Sequence, residues 1–361
     1  MFMIRPIFFS TPPARILVVT MRYLGDTLLV TPLLNSLKQA YPQAQLDVLV
    51  LVNAAAVLEG NPAISNIITV AQKPSWIDNK KLFTRIFRRY DLAVCTQTGD
   101  RPSLYSFLAA PVRIGFVPPK PQTGWFKRYF FNRWLEFDTE KTHTVLELLK
   151  LCQLLAIKPI YDLTAPRNLS GFKNLAGLSN NYAVLHIMPQ WRYKQWTQEG
   201  WIAVARYLHS QDIQVVLSGS SLSEEVSYLT ALQKELPENT LNLAGKLSLA
   251  QLAPVIAKAK LFIGVDTGIT HLAAATGVAT IALFGPSDPV KWAPWPINYH
   301  SDKPPFVTHG SQHVNNVYLI QGQKNCAPCY FEGCERHQQS YSACLDELKP
   351  TQVIEVLAEL I

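Results

Sequence analysis

Two aspartates, a lysine and a histidine fall where short apolar runs give way to helical patterns. In α/β proteins that is where side chains reach a ligand. The first such place is MRYLGDTLLVTP at 21–32. Gly25 permits a tight turn, and Asp26 stands near the start of the following helix. A carboxylate there either supports the helix N-terminus by capping and the macrodipole, or faces a ligand as a general base. The second is LFIGVDTGITHLAAATG at 261–277, where an apolar run ends in Asp266 and Thr267, Gly268 and Ile269 open a helix. Gly268 lets a ligand approach the backbone, and the N–H groups of a helix start suit a pyrophosphate. His271, one turn on, could face the same ligand; plain capping with a satisfied histidine is the structural alternative. The third is HIMPQWRYKQWTQEGW at 186–201. Lys194 offers a mobile positive charge for phosphate. Trp191, Trp196 and Trp201 are either core or partly exposed platforms, and singly each reads as packing. The glycine-rich dinucleotide fingerprint is absent after the first strand of each half, which speaks against a nicotinamide enzyme.

Four of the six cysteines, Cys326, Cys329, Cys334 and Cys344, crowd into nineteen residues. Such a cluster can close around a structural Zn²⁺ or remain as reduced, partly buried thiols. The gaps after Cys329 fit no standard zinc pattern. The segment KKLFTRIFRRY at 80–90 alternates Lys80, Lys81, Arg85, Arg88 and Arg89 with Leu82, Phe83, Ile86, Phe87 and Tyr90. As a helix it has an apolar and a basic face. The basic face is either merely solvated or, with Lys120, Lys127 and Arg128, meets anionic lipid or phosphate.

These residues need elements to hold them. RILVVT (15–20), LDVLVLV (46–52), NIITV (66–70), DLAVC (91–95) and VRIGF (112–116) read as strands, with one helix running through LLVTPLLNSLKQAY after the first. The rhythm lapses at 157–180, rich in Pro, Gly and Asn, which reads as a linker. It resumes with YAVLHI (182–187), IQVVLSG (213–219), LFIGVD (261–266) and ATIALFG (279–285), and TQVIEVLAELI closes with helical spacing. Continuous apolar runs alternating with helices indicate parallel sheets covered on both faces. The expectation is an α/β protein of two Rossmann-like doubly wound domains, 1–165 and 166–361, with a ligand cleft between them. The terminal helix packs back on the first domain in this reading. With 361 residues, 48% hydrophobic and 16% charged, the chain is neither disordered nor, lacking any apolar run near 20 residues, membrane-spanning. The N-terminus makes a poor signal peptide, so a cytoplasmic location is the default and a periplasmic-type binding protein is disfavoured. The net charge of +7 favours an anionic partner. Six cysteines in such a chain do not read as a disulfide framework, and no fixed repeat or nucleic-acid motif is present.

As a set, LGDTLLVTPLL after the first strand, R-x-G-F at 113–116, W-x-x-K-x-W at 191–196, LAGKLSLAQL at 243–252 and GVDTGITHLAAA at 264–275 resemble glycosyltransferase family 9. These are the ADP-heptose:lipopolysaccharide heptosyltransferases. W-x-x-K-x-W and the late C-x-P-C-x4-C look most like the heptosyltransferase III branch. The resemblance implies a GT-B fold, with acceptor in the N-terminal and donor in the C-terminal domain. It implies inverting transfer from ADP-heptose to the inner core of lipopolysaccharide, at the inner face of the inner membrane, with no catalytic metal. By resemblance Asp26 is the base and Lys194 neutralises the donor phosphates. Asp266, Thr267, Gly268 and His271 form the donor loop, and Leu247 lines the adenine pocket. Glu224 meets the ribose hydroxyls, with Glu225 as the alternative. Arg101, Arg113 and His143 are acceptor contacts. One departure stands out: Met188, Pro189 and Gln190 occupy a stretch where the family often carries Thr or Ser. The alternatives are transfer from another nucleotide sugar, or a non-catalytic nucleotide-sugar or core-binding protein of the same fold, which would have no evident need for a base.

Overall fold

The computed structural model describes residues 5–119, 124–137, 142–167 and 175–361. Two compact units divide between Pro166 and Arg167, with His300–Lys303 counted in the first.

The first unit is built on β1 (Arg15–Val19), β2 (Gln45–Leu51), β3 (Asn66–Val70), β4 (Leu92–Cys95), β5 (Val112–Val117) and β6 (Arg133–Glu136). All pair in parallel, in the order β3-β2-β1-β4-β5-β6. Val18 of β1 lies between Val48 of β2 and Val94 of β4, and all three are fully buried. Burial on both faces is why these strands read as unbroken apolar runs. Helices α1 (Leu24–Leu28), α2 (Thr31–Ala40), α3 (Trp76–Ile86), α4 (Asp100–Ala109) and α5 (Thr144–Leu149) connect or flank them. The single helix expected after β1 is therefore two. Pro32 has no N–H for the Leu28 carbonyl, and the Thr31 hydroxyl donates to that carbonyl instead, at 2.8 Å.

The second unit repeats the plan with β7 (Tyr182–His186), β8 (Gln214–Leu217), β9 (Leu241–Asn242), β10 (Leu261–Val265), β11 (Ala279–Phe284), β12 (Gln312–Val314) and β13 (Val317–Gln321). The order is β12-β13-β11-β10-β7-β8-β9, antiparallel only between β12 and β13. Its helices are α6 (Gln198–Ser210), α7 (Ser223–Gln233), α8 (Leu249–Lys258), α9 (Gly268–Thr276), α10 (Pro289–Trp292), α11 (Ala343–Asp346) and α12 (Pro350–Leu360). Strand order reverses once in each sheet, at β1/β4 and at β7/β10. Ligands bind outside the carboxyl ends of strands at such switch points.

Two features bear on the expected division. Within the second unit, Val353 and Leu357 of α12 join Trp201, Val204 and Leu208 of α6 in one core. Part of the expected linker, 168–174, lies outside the described residues, and the part before it is no loose tether. Ile160 N–H donates to Ser36, Thr164 N–H to Thr31, and Asn35 to the Asp162 carbonyl, stitching the segment along α2. Among the described residues no helix is long and apolar enough to cross a membrane.

Candidate active site

The switch point of the first unit opens into a cavity of about 440 Å³, lined by Met21, Arg22, Tyr23, Gln97, Asp100 and Arg101 among others. Its floor is fixed by the backbone: Met21 N–H donates to the Gln97 side chain at 2.9 Å, tying the end of β1 to the end of β4. Asp26 sits in the first turn of α1, yet the N-cap is Tyr23 and no side chain caps that helix. The Asp26 carboxylate instead takes Arg22: Nε and Nη2 both reach Oδ1, at 3.0 and 2.9 Å. Capping is thus not what Asp26 does, while its place in the first turn still suits the macrodipole. Arg101 lines the same cavity, its Nη atoms held by the carbonyls of Gln72 and Ala71 at 2.6 and 3.1 Å. Lys127 is buried beneath the loop, donating to the Thr98 carbonyl and pairing with Asp100 at 2.8 Å.

At the switch point of the second unit, Lys194 follows β7 in a short turn at Arg192–Lys194, and Asp266 follows β10. Lys194 Nζ donates to Asp266 Oδ2 at 2.6 Å, with Asp266 buried. Burial alone would raise the Asp266 pKa. The Lys194 ammonium, the Ser287 hydroxyl and His271 outweigh it and hold the carboxyl below its usual value. Thr267 is the N-cap of α9, its hydroxyl accepting from Thr270 N–H, so the capping alternative holds for Thr267 but not for Asp266. Gly268 and His271 lie in the first turns of α9, and His271 is buried. The arrangement offers an anion a helix start, a lysine and a histidine in one place.

Leu247 precedes α8 and stays partly exposed. Glu224 and Glu225 share the first turn of α7, but Glu224 is exposed while Glu225 turns inward. Glu225 Oε2 accepts from Ser220, and Oε1 is buried with no hydrogen-bond partner. His186, at the end of β7, is 3.1 Å from Ser218; burial pulls its pKa down, against the pull of the Glu225 carboxylate. Glu224 and Glu225 thus differ in direction, one facing solvent and the other the unit's interior. Met188, Pro189 and Gln190 bring no hydroxyl; Gln195 reaches Met188 Sδ at 3.7 Å. Trp196 and Trp201 are core, stacked edge-to-face at 5.1 Å.

Two acceptor candidates are not among the residues lining the cavity of the first unit. Arg113 lies at the amino end of β5, away from the carboxyl ends, and its guanidinium serves the carbonyls of Phe130, Ala110 and Pro111. His143 is fully buried as the N-cap of α5, accepting from Val145 N–H at 3.2 Å. In the basic segment the helix stops at Ile86, so Phe87 is exposed rather than packed. Arg85, Arg88 and Arg89 are exposed as expected, Lys127 is not, and Lys120 lies outside the described residues. The four clustered cysteines are free thiols, and Cys344 is pushed up to about 12 by burial and by the neighbouring Cys329, Cys326 and Cys334. Among the described residues no group of three or more His, Cys, Asp or Glu is placed to hold a metal ion. Arg22 and Ser287 were missed. The four-residue spacing of Arg22 and Asp26 is a readable signal; nothing local links Ser287 to Asp266.

The family model described as Glycosyltransferase family 9 (heptosyltransferase) matches residues 80–301. The chain is 29% identical over 317 residues to the lipopolysaccharide heptosyltransferase 3 of Escherichia coli, covering 83% of this chain and 93% of that protein. Among solved structures it resembles a glycosyl transferase family 9 protein from Veillonella parvula (TM-score 0.75, 19% identity, 96% and 97% of the two chains). It also resembles the E. coli heptosyltransferase WaaC with ADP (TM-score 0.71, 21% identity, 96% and 100%). These likenesses agree with the α/β architecture of two doubly wound units.

Proposed function

The chain belongs to glycosyltransferase family 9, and from that premise we propose that it is an inverting heptosyltransferase of the III type, moving heptose from ADP-heptose to the inner core of lipopolysaccharide. The observation that carries the reading is the Lys194–Asp266 pair at the head of α9, a cation held by a buried carboxylate where a diphosphate would rest.

The first unit takes the acceptor in the cavity beside Asp26, with Arg101 as a contact. The second holds the donor: Lys194 and the first turn of α9 on the phosphates, His271 and Asp266 at the sugar end, Leu247 at adenine, Glu225 at the ribose. Asp26 takes the proton of the acceptor hydroxyl as its oxygen bonds to the anomeric carbon. The bond from that carbon to the phosphate oxygen breaks, and ADP leaves with the electron pair. Attack from the face opposite the phosphate inverts the configuration. Lys194 and the N–H groups of α9 stabilise the charge gathering on the leaving diphosphate, a role that needs no metal. The enzyme works at the inner face of the inner membrane, bound peripherally through the exposed cations of α3 and the residues after it. The relative's III-type chemistry and the C-x-P-C-x4-C segment support this acceptor class.

The test is incubation with ADP-heptose and core-truncated lipopolysaccharides, with products read by mass, before and after dialysis against a chelator. A heptose-sized gain that survives the chelator is expected. Donor binding without product would favour the non-catalytic alternative. Asp26→Asn should leave donor affinity nearly intact and lower turnover by ~10²–10⁴. Asp266→Ala should weaken donor binding as well as rate. Near-normal turnover in Asp26→Asn would refute the base assignment.

A further inference from the structure

We infer that Arg22 is the positioning residue of the base: it clamps one oxygen of Asp26 and leaves the other as the single proton acceptor. The inference rests on Asp26 being the base.

The last torsion of an aspartate is broad and roughly two-fold, so a carboxylate on a short helix has no fixed direction of its own. α1 has only five residues, and nothing in its cap holds Asp26. Arg22 supplies the constraint. Its Nε and Nη2 converge on Oδ1, at 3.0 and 2.9 Å, and neither bond uses Oδ2. Among the described residues Asp26 has no other polar partner. Arg22 is itself anchored. Its carbonyl accepts from Thr27 at 3.3 Å, and the preceding Met21 N–H is tied to Gln97. Nor is the guanidinium drawn elsewhere, because Asp100, the carboxylate that lines the cavity, is paired with Lys127. The Asp26 side chain is 13% exposed and that of Arg22 36%, so the clamp lies on the cavity side while Asp26 is mostly shielded. A planar guanidinium can present two donors in fixed geometry; an ammonium presents a point charge and cannot reproduce it.

Misplacing a reacting group by about 1 Å can slow a reaction ~10²-fold. Arg22→Met should therefore lower kcat roughly 10- to 100-fold with the KM for ADP-heptose unchanged. Arg22→Lys should recover only part of the rate. In an Asp26→Asn background, Arg22→Met should cause no further loss, since the two act as one unit. An unchanged far-UV spectrum and melting temperature checks the fold, and Arg22→Gln carries the test if the methionine variant does not fold. Unchanged kcat in Arg22→Met overturns the inference, as does a rise confined to the acceptor KM, which would make Arg22 an acceptor contact only. Normal turnover in Asp26→Asn would instead overturn the base itself, whatever Arg22 does.

Discussion

Asp266 shows at the scale of one residue how a buried charge is kept. Burial pushes the carboxyl up, and Lys194, Ser287 and His271 bring it below its ordinary value. The sign of the linkage follows: a carboxyl whose folded pKa is depressed binds fewer protons folded than unfolded, so stability rises with pH across that window. The contribution is complete above the unfolded value of about 4 and disappears as pH falls through the lower folded value. Wild type should therefore resist urea better than Asp266→Asn at pH 6, and the gap should close toward pH 3. A gap equal at both pH values would mean that the ion pair is not its source. The same residue shows why one motif can mislead in part. In D-T-G the threonine is a cap and the aspartate is not.

At the scale of elements, the cysteine-rich stretch between β13 and α12 braces the turns that carry Lys194 and Ser287. Ser342 donates to the Tyr193 carbonyl at 2.5 Å, next to Lys194. Tyr330 N–H donates to the Pro286 carbonyl at 3.0 Å, next to Ser287. The Trp196 indole donates to the Leu348 carbonyl at 2.9 Å. The turn out of β13 works only because Gly322 has no side chain: a Cβ there would lie 2.0 Å from the Cys344 carbonyl oxygen. That atom is backbone and cannot swing aside. Gly322→Ala should destabilise the protein by about 1–3 kcal/mol or more, as overpacking does, and lower donor affinity with it. Thermal melting with and without ADP measures both, and an unchanged melting temperature would show that the brace gives way without strain.

For the whole molecule, the net charge of +7 includes an exposed cationic cluster at α3 and just after it. Trp76, Ile77 and Phe87 are exposed around the exposed cations of α3 and the residues after it, and Lys80 lies 5.5 Å from the Trp76 ring. Apolar side chains ringed by cations fit an anionic lipid surface. Co-sedimentation with anionic vesicles should weaken with added salt and on replacing Arg85, Arg88 and Arg89 by glutamine. Binding indifferent to both would remove the surface from the account. The sequence by itself determined the alternation of strands and helices and the placing of Asp26, Lys194 and Asp266 just past strand ends. Those are local properties: a strand buried on both faces must be apolar throughout, and the polar residue after it marks where it stops. Four strands were not legible: β6 is mostly exposed and polar, β9 and β12 are two and three residues long, and β13, although buried, follows a long stretch of turns that breaks the rhythm. Tertiary structure alone decided which side chains meet. Lys194 reaches Asp266 across 72 positions because β7 pairs with β10. Glu225 turns inward where Glu224 does not, and Arg113 and His143 are taken up by backbone carbonyls and a helix cap. Spacing along a chain sets the face a residue occupies, but strand order and packing, which are non-local, set what stands opposite it.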